Sequence, residues 1–224
     1  LNSSIRNFVT AVRYDDLTST SNTYTLTDNV SIQADLDQLG DDPNLTSVGD
    51  VKSGRSTFTI NGAGKTVDGT ATNGSKLGGM SIAGTQTVTI NNISWNNFTT
   101  GISNAGTLNL NGVTFSGNTT ADVNNTNAMN LTGTNTFGKG VTGTGTTTVN
   151  SGETTFNGAV SQTNMTNKGT VNIGAGNLQI TNAVDNQGTL NLSAGTLASD
   201  ITSNTTTGTT NITGDVSSAR TITQ

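Results

Sequence analysis

Apolar residues recur along most of the chain at intervals of about 20 residues. Each of them ends a short segment, here called a phrase, in which polar and apolar residues alternate. The clearest phrases have the pattern Asn-x-Gly-Thr-apolar-Asn-apolar and occupy 104–110, 167–173 and 186–192. After a first interval of 30, the spacings are 20, 21, 18, 24, 19 and 20. Alternation with period two predicts strands with one buried face. We expect the closing apolar residues to form one continuous inward column: Ile60, Ile90, Leu110, Leu131, Val149, Ile173, Leu192 and Ile212.

Each phrase is followed by a turn-forming pair of residues such as Asn111-Gly112, and then by two further apolar residues. The first set is Phe98, Phe115, Phe137, Phe156, Ile180 and Leu197; the second is Ile102, Val123, Val141, Val160, Val184 and Ile201. Three short strands and three corners in about 20 residues predict one coil of an all-β parallel β-helix. A leucine-rich repeat is excluded because the repeats contain no helical stretch, and a propeller blade needs about 40 residues.

The N-terminal segment differs from the repeats. Residues 1–23 are predicted to be a capping helix and lead-in, because Ile5, Phe8, Val9 and Val12 share one helical face, with Ser3 or Ser4 as N-cap. Residues 24–224 are assigned to the β-helix, with an acidic loop at 35–55. Because the chain starts at Leu1 and stops in strand-like sequence at Gln224, we expect it to be a piece of a longer protein.

Composition favours a solenoid over a flexible linker. The chain of 224 residues has 47 Thr, 31 Asn and 28 Gly, and only 30% of it is hydrophobic. A linker would not keep apolar residues in register, whereas a solenoid needs only a thin apolar column. The net charge of -5 and the scattered cations argue against nucleic acid and acidic membrane surfaces as partners. No segment is apolar enough to insert in a membrane, and without cysteine there are no disulfides or thiolate sites.

Three phrases resemble known secreted proteins. The repeated Asn-x-Gly-Thr unit resembles the passenger domains of bacterial autotransporters and related surface adhesins. Residues 58–69 look like the first full coil of right-handed, pectate-lyase-like β-helices, and Val113-Thr-Phe115-Ser-Gly-Asn118 is similar to the Phe-x-x-Asn repeat of polymorphic outer-membrane autotransporters. The resemblance implies a right-handed parallel β-helix, exported through an outer-membrane barrel and displayed at the cell surface or secreted.

Catalytic chemistry finds little support in the sequence. Without histidine or cysteine, Ser-His-Asp and Cys-His sites are excluded. The solenoid carries only five acids after residue 70: Asp122, Glu153, Asp185, Asp200 and Asp215. Asp122, Asp200 and Asp215 are expected at equivalent corners of distant coils, and Lys139 with Glu153 is the nearest acid–base pairing. We therefore predict no enzyme, and assign no catalytic, cofactor-binding or metal-binding residue.

Three sharper hypotheses concern single features. The acidic segment 35–42 suggests a calcium-binding loop of the EF-hand kind. Such a loop needs an oxygen ligand at its fifth position, where this chain has Leu39, and this favours a solvated loop without calcium. Threonines at alternate positions could align into a surface that matches the ice lattice: Thr57/Thr59, Thr85/Thr87/Thr89, Thr144/Thr146/Thr148 and Thr205/Thr207/Thr209. The varying coil length argues against such a match. Trp95 is expected in the core rather than as an exposed sugar platform.

The expected function is that of a non-enzymatic adhesin or rigid display stalk on a bacterial surface, facing a host-cell or surface ligand. The alternative is a polysaccharide-active or glycan-binding β-helix. Carboxylates converging in a cleft would favour the enzyme, and exposed aromatic residues would favour glycan binding.

Overall fold

A computed structural model describes residues 8–9, 11–13, 22–32, 45–202, 207–218 and 220–223. Residues 8–9 and 11–13 are helical, and they precede three short strands. These strands form the first, incomplete layer: β1 (Thr23–Thr25), β2 (Val30–Ser31) and β3 (Ser47–Asp50).

The coils that follow contain long strands at first and short strands later. The first coils consist of β4 (Thr57–Asp68), β5 (Gly78–Ile82), β6 (Thr87–Asn96), β7 (Thr100–Asn104), β8 (Thr107–Ser116) and β9 (Ala121–Asn125). The middle coils consist of β10 (Ala128–Thr132), β11 (Thr134–Phe137), β12 (Gly140–Thr142), β13 (Thr146–Val149), β14 (Glu153–Phe156), β15 (Ala159–Gln162), β16 (Asn164–Asn167), β17 (Thr170–Ile173) and β18 (Asn177–Ile180). The last consist of β19 (Val184–Asn186), β20 (Thr189–Leu192), β21 (Gly195–Leu197), β22 (Ile201–Thr202), β23 (Thr209–Ile212), β24 (Val216–Ser218) and β25 (Ile222–Thr223).

Strands of successive coils pair in parallel and form three stacks. The first stack runs through β1, the N-terminal halves of β4, β6 and β8, and then β10, β13, β16, β19, β22 and β25. The second runs through β2, the C-terminal halves of the same long strands, and then β11, β14, β17, β20 and β23. The third is a nine-stranded sheet from β3 to β24. The predicted fold class is therefore confirmed: a parallel β-solenoid of about seven turns of roughly 20 residues. The direction of winding stays a prediction.

A single apolar core fills the solenoid, because alternate side chains of all three stacks point inward. In the second stack, the Phe137 ring lies between those of Phe115 and Phe156, at centroid distances of 5.0 and 4.9 Å. Trp95 occupies the next level of this stack; it is fully buried, and its indole N–H donates to the carbonyl of Gly101 at 3.0 Å. The prediction that Trp95 packs in the core is confirmed.

The predicted single inward column is wrong beyond its fifth member. Ile60, Ile90, Leu110, Leu131 and Val149 do stack in register in the first stack. Above Val149, however, stands Asn167, and Ile173 continues the phenylalanine column of the second stack through Phe156. Leu192 and Ile212 follow Ile173 in that second column, and Ile212 at its end is 57% exposed. The interval of 24 residues from Val149 to Ile173 is therefore a change of stack.

The short helix packs on the apolar core, as the sequence predicts, and Phe8, Val9 and Val12 are buried. The ring of Phe8 lies 6.2 Å from those of Tyr24 and Trp95. The backbone N–H of Lys52 donates to the carbonyl of Val12 at 2.9 Å, which ties the helix to the first layer. Ile5 and the expected N-cap, Ser3 or Ser4, lie outside the described residues.

Two arginines fasten this helix to the strands. Buried Arg55 donates a hydrogen bond to the carbonyl of Ala11, and its guanidinium lies 4.6 Å above the ring of Phe58. Arg13 donates to the carbonyl of Val48 at 2.6 Å. The cap is thus held by cationic hydrogen bonds as well as by apolar contact.

The segment expected to be an acidic loop, 35–55, includes regular structure in its second half. Residues 33–44 lie outside the described residues, but β3 (Ser47–Asp50) pairs with β5 in the third stack. Val48 is fully buried, because it supplies the inward side chain of this strand. The sequence did not predict this strand, because the segment is acidic overall and the strand itself contains only one strongly apolar residue.

Candidate functional site

The carboxylates of the solenoid are dispersed, and the expected equivalence of three of them is wrong. Asp122 lies in β9 of the third stack, whereas Asp200 precedes β22, which belongs to the first stack. Asp215 precedes β24, whose Val216 pairs with Gly195 rather than with a counterpart of Val123. Asp200 and Asp215 are exposed, while Asp122 is fully buried. These three acids therefore do not occupy equivalent positions in their coils.

Asp122 holds two coils together. Its Oδ1 accepts a hydrogen bond from Asn118 Nδ2 at 2.9 Å, and its Oδ2 accepts from the backbone N–H groups of Lys139 and Gly140, both at 2.8 Å. Burial raises the pKa of the Asp122 carboxyl, and these hydrogen bonds and the nearby Lys139 charge oppose the shift. All its contacts are structural, and a fully buried carboxyl offers no access to a substrate.

Lys139 and Glu153, the nearest acid–base pairing in the sequence, lie at different corners. Lys139 is exposed between β11 and β12, while Glu153 begins β14 and accepts a hydrogen bond from Asn172 Nδ2. Asp185, in β19, accepts from Gln187 Nε2 at 2.9 Å. Each of these acids is engaged with an amide rather than with another carboxylate.

Metal binding has no support in the part of the chain that the structure describes, where no three acidic side chains come close enough to share an ion. The calcium hypothesis concerned Asp35–Asp42, which lies outside the described residues. The calcium hypothesis therefore stays a prediction.

From β4 to β16, the outward side chains of the first stack form a neutral surface, here called the polar face; beyond it, the second column continues with Asp185 of β19. Its two columns are Thr57, Thr87, Thr107, Ala128, Thr146 and Asn164, and Thr59, Thr89, Asn109, Asn130, Thr148 and Thr166. Asn130 Nδ2 donates to Asn109 Oδ1 at 3.0 Å, so the amides link successive coils. The threonine pairs expected for an ice-matching face do align at β4, β6 and β13, but β8 and β10 interrupt them with asparagine and alanine.

The asparagine that opens each clear phrase is an interior corner residue, which sequence reasoning missed. Asn104 Oδ1 accepts from the N–H of Gly106 at 3.0 Å, and its Nδ2 donates to Asn125 Oδ1 at 2.9 Å and to the carbonyl of Ala128 at 2.8 Å. Buried polar atoms need hydrogen-bond partners. Gly106 of the same corner satisfies the amide oxygen and the neighbouring coil accepts from the amide nitrogen, so the buried asparagine costs little and fixes the register.

The same bonds recur at a different corner. Asn167 Oδ1 accepts from the N–H of Gly169 at 3.1 Å, and its Nδ2 donates to Asn186 Oδ1 at 2.9 Å. Asn104 turns the chain from the third stack into the first, whereas Asn167 turns it from the first into the second. Glycine is required two residues on, since a Cβ at Gly106 or Gly169 would lie 2.3 or 2.6 Å from a carbonyl oxygen of the preceding coil.

Comparisons with known proteins found no match among family models, curated proteins or solved structures. In the described ranges, no helix has the length and apolarity needed to cross a bilayer.

Proposed function

We propose that this chain is a non-enzymatic passenger segment of a bacterial surface or secreted protein, acting as an adhesin or rigid display stalk. The observation that supports it best is the uninterrupted stacking of the coils around one core, which extends from Phe8 to Ile201. At about 4.8 Å per coil, seven coils make a rod core about 34 Å long. Each coil is hydrogen-bonded in register to its neighbours, so the rod resists bending.

The chemistry of the surface supports a passive role. The described acids do not converge, and the one buried carboxylate is engaged by three hydrogen bonds. The polar face offers hydroxyl and amide groups without charge, which suits contact with a neutral partner on a host cell or other surface. Export through an outer-membrane barrel, implied by the sequence resemblance, is compatible with a chain that has no cysteine.

Glycan binding is the second candidate, because the polar face presents neutral donors and acceptors at regular spacing. Its threonines and asparagines match the hydrogen-bonding groups of an uncharged polysaccharide. The described aromatic side chains are mostly buried in the core, however, so the face lacks stacking platforms. Any such binding is expected to be weak.

The test joins an adhesion assay to a turnover assay on the purified chain. Beads coated with the chain should bind cells or neutral glycans, and a variant with Thr59, Thr89 and Thr148 changed to lysine should lose that binding while keeping its circular dichroism. No unsaturated or reducing ends should be released from pectin, alginate or other acidic glycans, with or without calcium. Release that is abolished by Glu153→Gln or Asp122→Asn would overturn the proposal in favour of an enzyme.

A further inference from the structure

The first full coil carries a turn that the other coils lack. Residues 69–77 connect β4 to β5, whereas only 97–99 connect β6 to β7 at the same corner of the next coil. This inserted turn accounts for most of the unusual interval of 30 between Ile60 and Ile90. Apart from Leu77 at its end, which pairs with Phe98 of the next coil and packs in the core, it adds no strand to the solenoid and no large side chain to the core, so folding does not explain its length.

The inserted turn projects as a small, ordered loop. Thr70 and Lys76 form an antiparallel bridge at its base, and the N–H of Ala71 donates to the carbonyl of Ser75 at 2.8 Å. Lys76 Nζ donates to Asn97 Oδ1 at 2.7 Å, which fixes the base to the next coil. At the tip, Gly74 has a φ of +83° and open space around its Cβ position, so the tip is accessible from outside.

The tip is the tripeptide Asn73-Gly74-Ser75, which matches the Asn-x-Ser/Thr acceptor pattern for N-linked sugars. All three residues are exposed. Asn73 Oδ1 accepts from the Ser75 N–H at 3.0 Å and from the Ser75 hydroxyl at 2.6 Å. These bonds hold the amide oxygen against the turn, while Nδ2 makes no hydrogen bond to the described part of the chain.

The pattern alone does not distinguish this site, because it occurs often in a chain rich in Asn and Thr. The structure separates the copies whose acceptor it describes. In most of them the middle residue is buried, as Ile93 is after Asn92, and in one the acceptor Asn118 is itself buried. The copy at Asn211 is exposed throughout, but its Nδ2 donates to Asn191 Oδ1 at 2.9 Å within the stacked strands. Asn73 alone among them combines full exposure, a projecting turn and a free amide nitrogen.

We propose that Asn73 is an N-glycosylation site, with a sugar activated as a pyrophosphate ester as the donor. The transferase brings Asn73 Nδ2 to the anomeric carbon; the C–N bond forms as the bond from that carbon to the phosphate oxygen breaks. The electron pair leaves with the pyrophosphate, and one amide proton passes to a base of the transferase. The step involves no change of oxidation state, and it does not depend on the adhesin or stalk proposal.

The experiment uses the folded, full chain in two arms that distinguish the sugar source. One arm contains a purified soluble N-glycosyltransferase with UDP-glucose, and the other contains microsomes with lipid-linked oligosaccharide. Peptide mass mapping should locate the sugar on Asn73 in at least one arm. Ser75→Ala should abolish it, Ser75→Thr should preserve it, and Asn73→Asp should remove it without changing the melting temperature.

The controls lie within the same chain. Asn118 should stay unmodified in the folded protein and should become an acceptor only after unfolding in urea. Lack of sugar on Asn73 in both arms, while an acceptor peptide is modified, would overturn the proposal. Modification of Asn211 or Asn92 in preference to Asn73 would overturn it as well, because exposure and the free amide would then not select the site.

Discussion

Replacing Phe137 by alanine tests whether the aromatic column is the main support of the middle coils. Its ring is fully buried and stacked between Phe115 and Phe156, at centroid distances of 5.0 and 4.9 Å with interplanar angles of 23°. Truncating a buried phenylalanine typically lowers the free energy of unfolding by about 3–5 kcal/mol. Each lost aromatic pair accounts for about 0.5–1.5 kcal/mol beyond buried area. We expect a total loss of about 4 kcal/mol.

The assay is urea unfolding followed by circular dichroism, together with hydrogen exchange of the backbone amides. Because each coil contacts only its neighbours, protection should fall first in β11 and in the adjoining β8 and β14. Phe137→Leu keeps most of the volume and should lose only about 1.5 kcal/mol. Ile212→Ala is the matched control, since Ile212 is 57% exposed and should change stability by about 0.5 kcal/mol or less.

Two results would refute this reasoning. One is a loss of less than about 1 kcal/mol for Phe137→Ala, which is below the range for a buried ring that leaves a cavity. The other is an equal loss for Ile212→Ala, which would mean that burial in the column does not determine stability. Loss of protection spread evenly from β1 to β25 would show that the solenoid unfolds as one unit rather than coil by coil.

Three further predictions concern the buried charges and the cap. Because burial raises the pKa of Asp122 above its ordinary value of 3.8, its contribution to stability is fully present below that value and is lost as the pH rises through the folded pKa. Wild type should therefore lose stability relative to Asp122→Asn over that window, and a flat difference in urea midpoints would contradict this. At the cap, Arg55→Lys should cost about 2 kcal/mol, and deletion of 1–14 should cause aggregation or fraying. Both changes should shift the emission of Trp95, which Phe8 contacts, and a truncated chain that stays monomeric with unchanged melting would refute the role of the cap.

The fold class was predictable because the solenoid imposes its period directly on the sequence. Inward positions must be apolar at each level, so the interval of about 20 survives even where the phrase is degenerate. The cap was predictable for a related reason, since Phe8, Val9 and Val12 show helical spacing. Asp122 was different: a carboxyl before a valine gives no signal that backbone N–H groups of the next coil will enclose it.

The inserted turn was only partly visible in the sequence. The interval of 30 marked the first coil as longer, but spacing alone does not show where the extra residues leave the coil. The acceptor pattern at Asn73 has many copies in the chain, and sequence offers no means to rank them. Exposure of the three residues and a free amide nitrogen rank the described copies, and both depend on where each copy lies in its coil.

The stack in which a phrase lies was the least predictable property of the fold. The reason is the limited structural information that the residues of the phrase carry. Asn104 and Asn167 make the same bonds to a glycine two residues on and to an asparagine one coil above. Those bonds close a corner, and they are satisfied equally well between the third and first stacks or between the first and second. The strand that follows needs only inward apolar residues, which either column accepts. The phrase therefore specifies a corner and the strand after it, and the place of that corner in the coil is set by the residues between phrases. Between Val149 and Ile173 those residues supply one additional strand, β16, whose inward Asn167 stacks directly above Val149.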